Sequence, residues 1–185
     1  DYAPAERPAT TWAVGITTAY RSNPTLDRTV DAVTAAGGHP VVFAEPTAPS
    51  PADTGVPTVR RMQTLGAWGN WIRTAHELLA SDTTHVLILQ DDVDLCPDAR
   101  PLVEAADWPA DVGAITLYTS AKYDRRADGP HDIPTANFWG ACALAFEART
   151  LRRLLATRTI KEWTGDRNID TAIGRACEEL GLRIY

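Results

Sequence analysis

The sequence predicts an α/β fold, a three-layer α/β/α sandwich built on a mostly parallel central sheet. Short apolar segments of strand type alternate along the chain with segments whose apolar residues recur at helical spacing. Residues 85–89 are apolar almost throughout, as in a central parallel strand that helices cover on both faces. Strands and helices that alternate in this way pack as a sheet between two helical layers.

Six segments rich in apolar and β-branched residues are predicted as strands, at 12–17, 41–43, 85–89, 112–117, 141–146 and 182–185. Helices are predicted between turn residues at 26–36, 65–80, just after Pro97, 148–156 and 168–180. Four prolines within residues 45–57 predict a long loop, and the polar residues 120–134 predict another. Trp68 and Trp71 share the apolar stripe of the second helix, so we expect them in the core.

The composition is that of one globular unit. Of the 185 residues, 44% are hydrophobic and 23% are charged, which is ordinary for a folded domain. We expect a loose polar arm over residues 1–10 and a single domain over 11–185. Because residues 182–185 begin an apolar alternating segment and then stop, we also expect the natural chain to extend beyond Tyr185.

Charge and cysteine content exclude several classes of partner and site. With 18 Lys and Arg against 24 Asp and Glu, the net charge of −6 argues against nucleic acid binding. The best apolar segment, residues 86–89, is far shorter than the roughly 20 residues of a membrane span. Cys96, Cys142 and Cys177 lack paired spacing, which argues against a disulfide framework or a zinc site. We therefore expect a cytoplasmic protein.

Three carboxylates follow the central apolar strand within four positions: Asp91, Asp92 and Asp94. Their mutual repulsion and their desolvation at the end of a buried strand need compensation. A divalent cation such as Mg²⁺ or Mn²⁺ would provide it, and ligands of parallel sheets bind beyond the carboxyl ends of the strands. The alternative is an acidic turn that caps the next helix. The position in the sheet favours a metal site.

The segment Gln90-Asp91-Asp92 is similar to the Asp-x-Asp metal motif of the nucleotide-sugar glycosyltransferases of the GT-A fold. The preceding helix with Asn70, and residues 138–146 with Trp139 and Gly140, resemble family segments in the same order. The resemblance implies a Rossmann-like domain with a nucleotide-binding half, 11–95, and an acceptor half, 96–185. It also implies transfer of a sugar from a nucleoside-diphosphate sugar, such as a UDP-sugar, to the hydroxyl of a small-molecule, glycan or protein acceptor, with Mn²⁺ or Mg²⁺.

By the resemblance, Asp92 is the metal ligand and Asp94 a second candidate, provided that the strand continues that far; we expect it to break before. Asp91 or Gln90 would approach the ribose. Gln90 stands where the family usually has an acid, and its amide can still hydrogen-bond a hydroxyl. Trp139 and Gly140 would lie against the donor sugar.

The residues after the first strand, Thr17, Thr18, Tyr20 and Arg21, suit a nucleotide. Tyr20 can stack on a base, and threonine hydroxyls can hydrogen-bond to the edge of that base. Arg21 can bind a phosphate with two parallel hydrogen bonds from its guanidinium. The alternative is a turn in which Tyr20 covers the core and Arg21 is solvated. Arg60, with its neighbour Arg61, and Asn70 are further candidates for the nucleotide, although an arginine pair is commonly only a solvated surface.

An inverting transfer needs a base for the acceptor hydroxyl. Asp170, with Asp166 as second choice, lies in a glycine-containing segment that opens a helix and resembles the family's base-bearing segment. The alternative is that either acid only caps the helix. Two other functions stay open. One is a haloacid-dehalogenase-like phosphatase, with Asp92 as nucleophile, Asp94 as general acid and Lys122 or Lys161 at the phosphate, and the other is a non-catalytic nucleotide- or sugar-binding module.

Overall fold

A seven-stranded sheet forms the centre of the computed structural model, which describes residues 10–51, 55–118, 130–164 and 168–185. The strands are β1 (Trp12–Thr18), β2 (Pro40–Ala44), β3 (Thr58–Arg60), β4 (His85–Gln90), β5 (Val112–Thr116), β6 (Ala143–Glu147) and β7 (Arg183–Ile184). Their order across the sheet is β3-β2-β1-β4-β6-β5-β7. Every sequence-predicted strand is present, with ends that differ by one or two residues.

The sheet is mostly parallel, with one reversed strand. β1 pairs in parallel with β2 and β4, β2 with β3, and β5 with β7. β6 runs antiparallel between β4 and β5. The carboxyl ends of β1, β2, β4 and β5 therefore lie at the same edge of the sheet as the amino end of β6. This edge carries most of the residues that the sequence singled out.

In the part of the chain that the structure describes, six helices cover the two faces of the sheet. They are α1 (Leu26–Ala35), α2 (Gly66–Leu78), α3 (Ala99–Ala105), α4 (Ala148–Leu155), α5 (Arg158–Lys161) and α6 (Ile169–Glu179). α1 and α3 pack on one face, and α2, α4, α5 and α6 pack on the other. Successive residues of β4 alternate between the two helical layers, with Val86 and Ile88 on one side and Leu87 and Leu89 on the other. The predicted three-layer α/β/α sandwich is confirmed.

The aromatic core lies beneath α2. Trp68 and Trp71 stack with ring centroids 5.9 Å apart, and Trp71 meets Phe146 of β6 edge-on at 6.0 Å. Both tryptophans are buried, as predicted. The helix also lies directly on β1, because a Cβ at Gly15 would stand only 2.9 Å from the side chains of Leu78 and Thr74. This contact holds the second half of α2 against the middle of β1.

The structure contains elements that the sequence did not predict. β3 has three residues, all exposed at the sheet edge, and so carries no apolar pattern. α5 has four residues, with Thr157 as its cap, and a 3-10 turn spans Thr135–Asn137. Except for Thr10, the predicted arm lies outside the described residues, as does most of the predicted loop 120–134. Among the described helices, none is long and apolar enough to cross a membrane.

Candidate functional site

The candidate residues of β1 and β4 meet because these strands are neighbours in register. Thr17 lies opposite Gln90, so the residues that follow each strand leave the sheet side by side. Two concave surfaces open at this edge: a small pocket of about 80 Å³ and a groove of about 1200 Å³. Gln90 lines both. The end of β4 therefore separates the small pocket from the groove.

Asp91 is buried and fully engaged by residues of the β1 loop. Its Oδ2 accepts a hydrogen bond from Thr18 Oγ1 at 2.5 Å, and its Oδ1 lies 2.8 Å from Arg21 Nη2. Only 2% of Asp91 is exposed, so these partners compensate its desolvation. Asp91 thus anchors the β1 loop to the end of β4, a role that its sequence position did not reveal.

Asp92 and Asp94 are more exposed and line the groove. Asp92 Oδ2 lies 3.3 Å from Arg21 Nη2, with 42% of its side chain exposed, and Asp94 Oδ2 lies 3.8 Å from Arg28 Nε. β4 ends at Gln90, so the strand breaks before these two acids, as expected. Among the described residues, no three His, Cys, Asp or Glu side chains gather as a metal site.

This donor set fits one kind of cation site. A cation held by protein ligands alone would need more carboxylates than the described residues bring together. Mg²⁺, however, commonly binds one or two carboxylates and takes its remaining ligands from substrate phosphates and water. Asp92, half-exposed at the wall of an open groove, suits that arrangement. Any cation here would therefore be shared with a bound diphosphate.

The small pocket contains an acid that the sequence reasoning missed. Glu45 directly follows β2 and is only 4% exposed, and its two carboxylate oxygens accept the backbone N–H of Leu65 at 3.1 and 2.9 Å. Glu45 lines the pocket together with Thr18 and Gln90. The signal was available: an acid placed directly after an apolar strand that neighbours β1.

Asn70 also lines the small pocket, but its side chain holds the structure around it. Its Nδ2 donates to the carbonyl of Phe43 at 2.9 Å, and its Oδ1 accepts from Arg61 Nε at 2.8 Å. Arg61 is buried and also bonds the carboxylate of Glu77 at 2.8 Å. The structure thus corrects the expectation of a surface phosphate site at Arg61, whose guanidinium links β3 to α2.

Arg60 lies apart from the other candidates. Its Nη1 donates to the carbonyls of Glu45, Pro46 and Ala48 at 3.1, 3.1 and 2.8 Å, and its Nη2 donates to Ser50 Oγ at 2.7 Å. These four bonds order the first part of the proline-rich loop. The structure does not bring Arg60 into the small pocket or the groove.

Tyr20 and Thr17 have different environments. Tyr20 is 69% exposed beside Arg21, so it does not cover the core. A ring exposed in this position is accessible to a base. The Thr17 hydroxyl donates to the carbonyl of Leu89 at 3.1 Å, which ties β1 to β4.

The other wall of the groove starts at Trp139 and Gly140. Trp139 is 57% exposed, as the sequence suggested. A Cβ at Gly140 would stand 2.8 Å from Thr116 Oγ1, whose hydroxyl donates to the Gly140 carbonyl at 2.8 Å. Only glycine therefore fits between β5 and the start of β6.

Asp170 lines the groove and lies in direct contact with this same segment. Its Oδ1 accepts the backbone N–H groups of Gly140 at 2.6 Å and Ala141 at 2.8 Å. The Gly140 and Ala141 amides thus bond to Asp170 rather than to a neighbouring strand, and β6 begins at Ala143. Asn168, not Asp170, caps α6 by accepting the N–H of Thr171 at 3.0 Å. Asp170 therefore does not cap α6, but its Oδ1 does satisfy two backbone amides, in keeping with the structural alternative, and Asp166 lies outside the described residues.

The acidic side chains that line the groove give it a negative electrostatic potential. Cys142 lies half-buried in its lining, and burial is the main cause that raises the pKa of its thiol. The charges of Asp92 and Asp170 raise this pKa further, which shows that both carboxylates act on the same region. The Cys142 thiol is thus held in its protonated form near neutral pH.

Comparison with known protein families finds no matching family, and no curated protein sequence matches the chain. Solved structures of similar fold do exist. One is 2-C-methyl-D-erythritol 4-phosphate cytidylyltransferase from Thermus thermophilus, with a TM-score of 0.53, 15% identity, and coverage of 95% of this chain and 87% of that chain. Another is CMP:2-keto-3-deoxy-manno-octonic acid synthetase, solved in complex with CTP, with a TM-score of 0.53, 14% identity, and coverage of 95% and 88%.

A third similar structure is a provisionally assigned nucleotide-diphospho-sugar transferase from Desulfovibrio desulfuricans. Its TM-score is 0.50 at 8% identity, with coverage of 95% of this chain and 79% of that chain. At these identities the likeness concerns the fold alone. The chain has the mixed α/β fold that these three proteins share.

Proposed function

We propose that the protein is a metal-dependent glycosyltransferase that moves a sugar from a nucleoside-diphosphate sugar, with a UDP-sugar as the first expectation, to a hydroxyl acceptor. The observation that carries this proposal is the position of Gln90 and Asp92 at the end of β4. Gln90 lines both the small pocket and the groove, and Asp92 faces the groove. A nucleotide at the pocket would place its diphosphate beside Asp92 and its sugar in the groove.

The nucleotide side of the site is built from exposed and buried parts. Tyr20 offers an accessible ring for stacking on the base. The carboxylate oxygens of Glu45 line the small pocket and can accept further hydrogen bonds from the N–H groups that a nucleobase presents. Gln90 can bond the ribose hydroxyls from the boundary of pocket and groove. These contacts support a nucleotide at this edge of the sheet.

Arg21 and Asp92 would share the diphosphate. The Arg21 guanidinium is 41% exposed and can donate two parallel hydrogen bonds to phosphate oxygens. Asp92, with Asp94 nearby in the groove, would hold the cation. When bound, a divalent cation neutralises the charge that develops on the leaving diphosphate.

Asp170 is the proposed base, and the indole of Trp139 would lie against the sugar ring. The two backbone amides hold Asp170 Oδ1 and fix the carboxylate at the groove wall. Within the described part of the chain, Asp170 Oδ2 makes no hydrogen bond, so it can accept the proton of an acceptor hydroxyl. This arrangement applies to an inverting reaction, in which the acceptor attacks the sugar directly.

Nucleotidyl transfer is the second candidate, favoured by the two cytidylyl-transferring proteins of similar fold. The two reactions differ in their products, because glycosyl transfer releases a nucleoside diphosphate and nucleotidyl transfer releases pyrophosphate. The phosphatase alternative has less support. Lys161 lies exposed on α5, Lys122 lies outside the described residues, and no described lysine lines the groove.

Titration calorimetry with nucleoside diphosphates and triphosphates, with and without Mn²⁺, tests the proposal. We expect a nucleoside diphosphate, UDP first, to bind more tightly when Mn²⁺ is present. On incubation with a panel of nucleotide sugars, the protein should then slowly hydrolyse one of them, with water as the acceptor, and release nucleoside diphosphate. Binding of CTP with pyrophosphate release in the presence of a sugar phosphate would favour nucleotidyl transfer. No nucleotide binding under any condition would contradict both candidates.

A further inference from the structure

A largely apolar cavity of about 310 Å³, whose lining also includes His39 and Arg100, lies between the sheet and the helical layer of α1 and α3. Its floor is a row of three side chains, Val14, Leu87 and Ala145, which lie opposite one another across β1, β4 and β6. Val33 of α1 and Val103 of α3 form its roof. Only these two helices cover this face among the described residues, and α3 has seven residues, which leaves the gap.

The cavity adjoins the groove of the candidate site. Leu95, Ala99, Val103 and Leu117 line both spaces. From this junction the cavity extends along the strands to Trp12 at the amino end of β1. An elongated apolar space thus leads away from the groove that Asp92 and Asp170 line.

A space of this size between a sheet and the helices that cover it is unusual. Side chains in cores pack closely, and an empty cavity lowers stability in proportion to its volume. A dry cavity of about 150 Å³ takes up one benzene ring, so about 310 Å³ accepts roughly two rings or a chain of about ten carbons. The volume therefore points to an apolar ligand.

The groove between cavity and carboxylates suits a molecule that is apolar and uncharged. Leu102, Tyr118 and Trp139 line it and are 63%, 48% and 57% exposed. The charged side chains among its described lining residues are all carboxylates. An acceptor that carries a phosphate or carboxylate would be repelled there.

We propose that the acceptor is a neutral hydroxyl compound with an apolar chain or ring system that binds in this cavity while its hydroxyl lies in the groove near Asp170. This inference rests on the proposed function and adds the substrate class. It predicts a definite dependence on chain length. Each buried methylene should raise affinity about fourfold until the cavity is full.

Primary alcohols from 1-butanol to 1-dodecanol test the binding step by titration calorimetry, without nucleotide or metal. Affinity should rise with chain length and then level off near ten carbons. Ala36→Leu fills the cavity end beneath α1, so affinity should level off several carbons earlier. Ala35→Leu is the matched control, because Ala35 is exposed on the same helix and its substitution should change nothing.

Ala99→Leu supplies a second variant at the junction of cavity and groove and should weaken binding of all long alcohols. Thermal melting verifies that each variant is folded. Affinity that does not depend on chain length would overturn the inference, and so would a dependence unchanged in both variants. If residues of the protein itself fill the cavity, no alcohol will bind, and this result would also overturn the inference.

The transfer step is tested with the same alcohols and a donor that the protein hydrolyses, with the alkyl glycoside detected by mass spectrometry. We expect kcat/KM to follow the chain-length profile of binding. If the protein binds both the donor and the alcohols but transfers no sugar to them, the assignment of the cavity to the acceptor would be overturned. If the alcohols bind as expected but no nucleotide binds, the result would instead contradict the proposed function.

Discussion

The guanidinium of Arg21 bridges two adjacent carboxylates, with Nη2 2.8 Å from Asp91 Oδ1 and 3.3 Å from Asp92 Oδ2. It therefore neutralises the acids that a divalent cation would approach. Asp91 is buried and keeps Thr18 as a second partner, whereas Asp92 is half-exposed. Arg21 can thus leave Asp92 without disrupting the end of β4. On the proposed function, a cation and Arg21 would compete for Asp92 until a diphosphate accepted hydrogen bonds from the guanidinium.

Arg21→Ala should change metal and nucleotide affinity in opposite directions. Without nucleotide, Mn²⁺ affinity should rise about threefold to tenfold, because a half-exposed ion pair contributes on the order of 1 kcal/mol. UDP affinity in saturating Mn²⁺ should fall by roughly tenfold, since the charged fork to the phosphate is lost. Calorimetry measures both. Arg28→Ala, at the more exposed pair with Asp94, is the control and should leave UDP affinity unchanged.

Asp92→Asn should remove the Mn²⁺ dependence of nucleoside diphosphate binding. The substitution keeps the size of the side chain and removes the charge that holds the cation, so affinity in Mn²⁺ should drop by at least about tenfold. Asp94→Asn should have a smaller effect, because this side chain is 64% exposed and further from Asp91 along the chain. An Asp92→Asn variant with undiminished Mn²⁺-dependent affinity would contradict the metal assignment.

Asp170 variants separate support of the backbone from proton transfer. Asp170→Ala loses both bonds to the amides of Gly140 and Ala141 and should lower the free energy of unfolding by about 1–3 kcal/mol. Asp170→Asn keeps an acceptor oxygen and should be nearly as stable, yet kcat should fall by about 10²–10⁴-fold. Urea unfolding and steady-state kinetics provide the two readouts. Full activity in Asp170→Asn would exclude this carboxylate as the base.

The periodic elements were predictable because their signals are local. The helical stripe of Trp68 and Trp71 and the continuous apolar segment of β4 each reflect burial on known faces, and the structure confirms both. The reversed direction of β6 was not predictable, since a short apolar strand reads the same in either direction. The exposed edge strand β3 was missed because packing does not constrain its side chains.

The candidate site was predictable in its position but not in its partners. Residues after β1 and β4 had to meet once these strands were parallel neighbours. That Arg21 and Thr18 both bind Asp91, and that Arg60 binds loop carbonyls, depends on side-chain contacts between distant segments. The apolar cavity was not visible either, because it arises from the spacing of α1 and α3 over the sheet.

From the environment of His85 we expect the free energy of unfolding to decrease at acidic pH. Its ring lies 4.8 Å from that of Trp12 and 5.0 Å from that of Trp108, and burial lowers its pKa below the usual 6.5, against a smaller opposite effect of Glu147 and Glu104. The unfolded chain therefore takes up this proton at higher pH than the folded protein. The contribution is fully present above pH 6.5 and is lost as the pH falls through and below that value.

Urea unfolding at several pH values measures this effect. His85→Phe, which keeps an aromatic ring in the cluster, should show a weaker loss of stability between about pH 7.5 and about pH 5.5 than the unmodified chain. His76→Phe is the control, because His76 is exposed on α2. Identical pH dependence in His85→Phe and in the unmodified protein would rule out His85 as the source.

The cysteines should react in a fixed order. Burial raises the pKa of the Cys177 thiol to about 12, so it carries almost no thiolate at about pH 8. Cys96 is exposed at the groove. Iodoacetamide at this pH should therefore alkylate Cys96 first and reach Cys177 only after addition of denaturant, as read by peptide mass spectrometry. Early modification of Cys177 in the folded protein would contradict its buried position.

The antiparallel insertion of β6 limits how this protein can be recombined. β4 belongs to residues 11–95, the half that the family resemblance assigns to the nucleotide, yet Val86 to Leu89 pair along their length with β6, which lies in residues 96–185. A fragment ending after β4 would expose an apolar strand with unpaired N–H and C=O groups, which is a template for aggregation. On the proposed function, donor and acceptor specificities would therefore not be exchangeable modules. Grafting a new acceptor half onto residues 11–95 would require a strand that matches β4 in direction, register and side-chain volume.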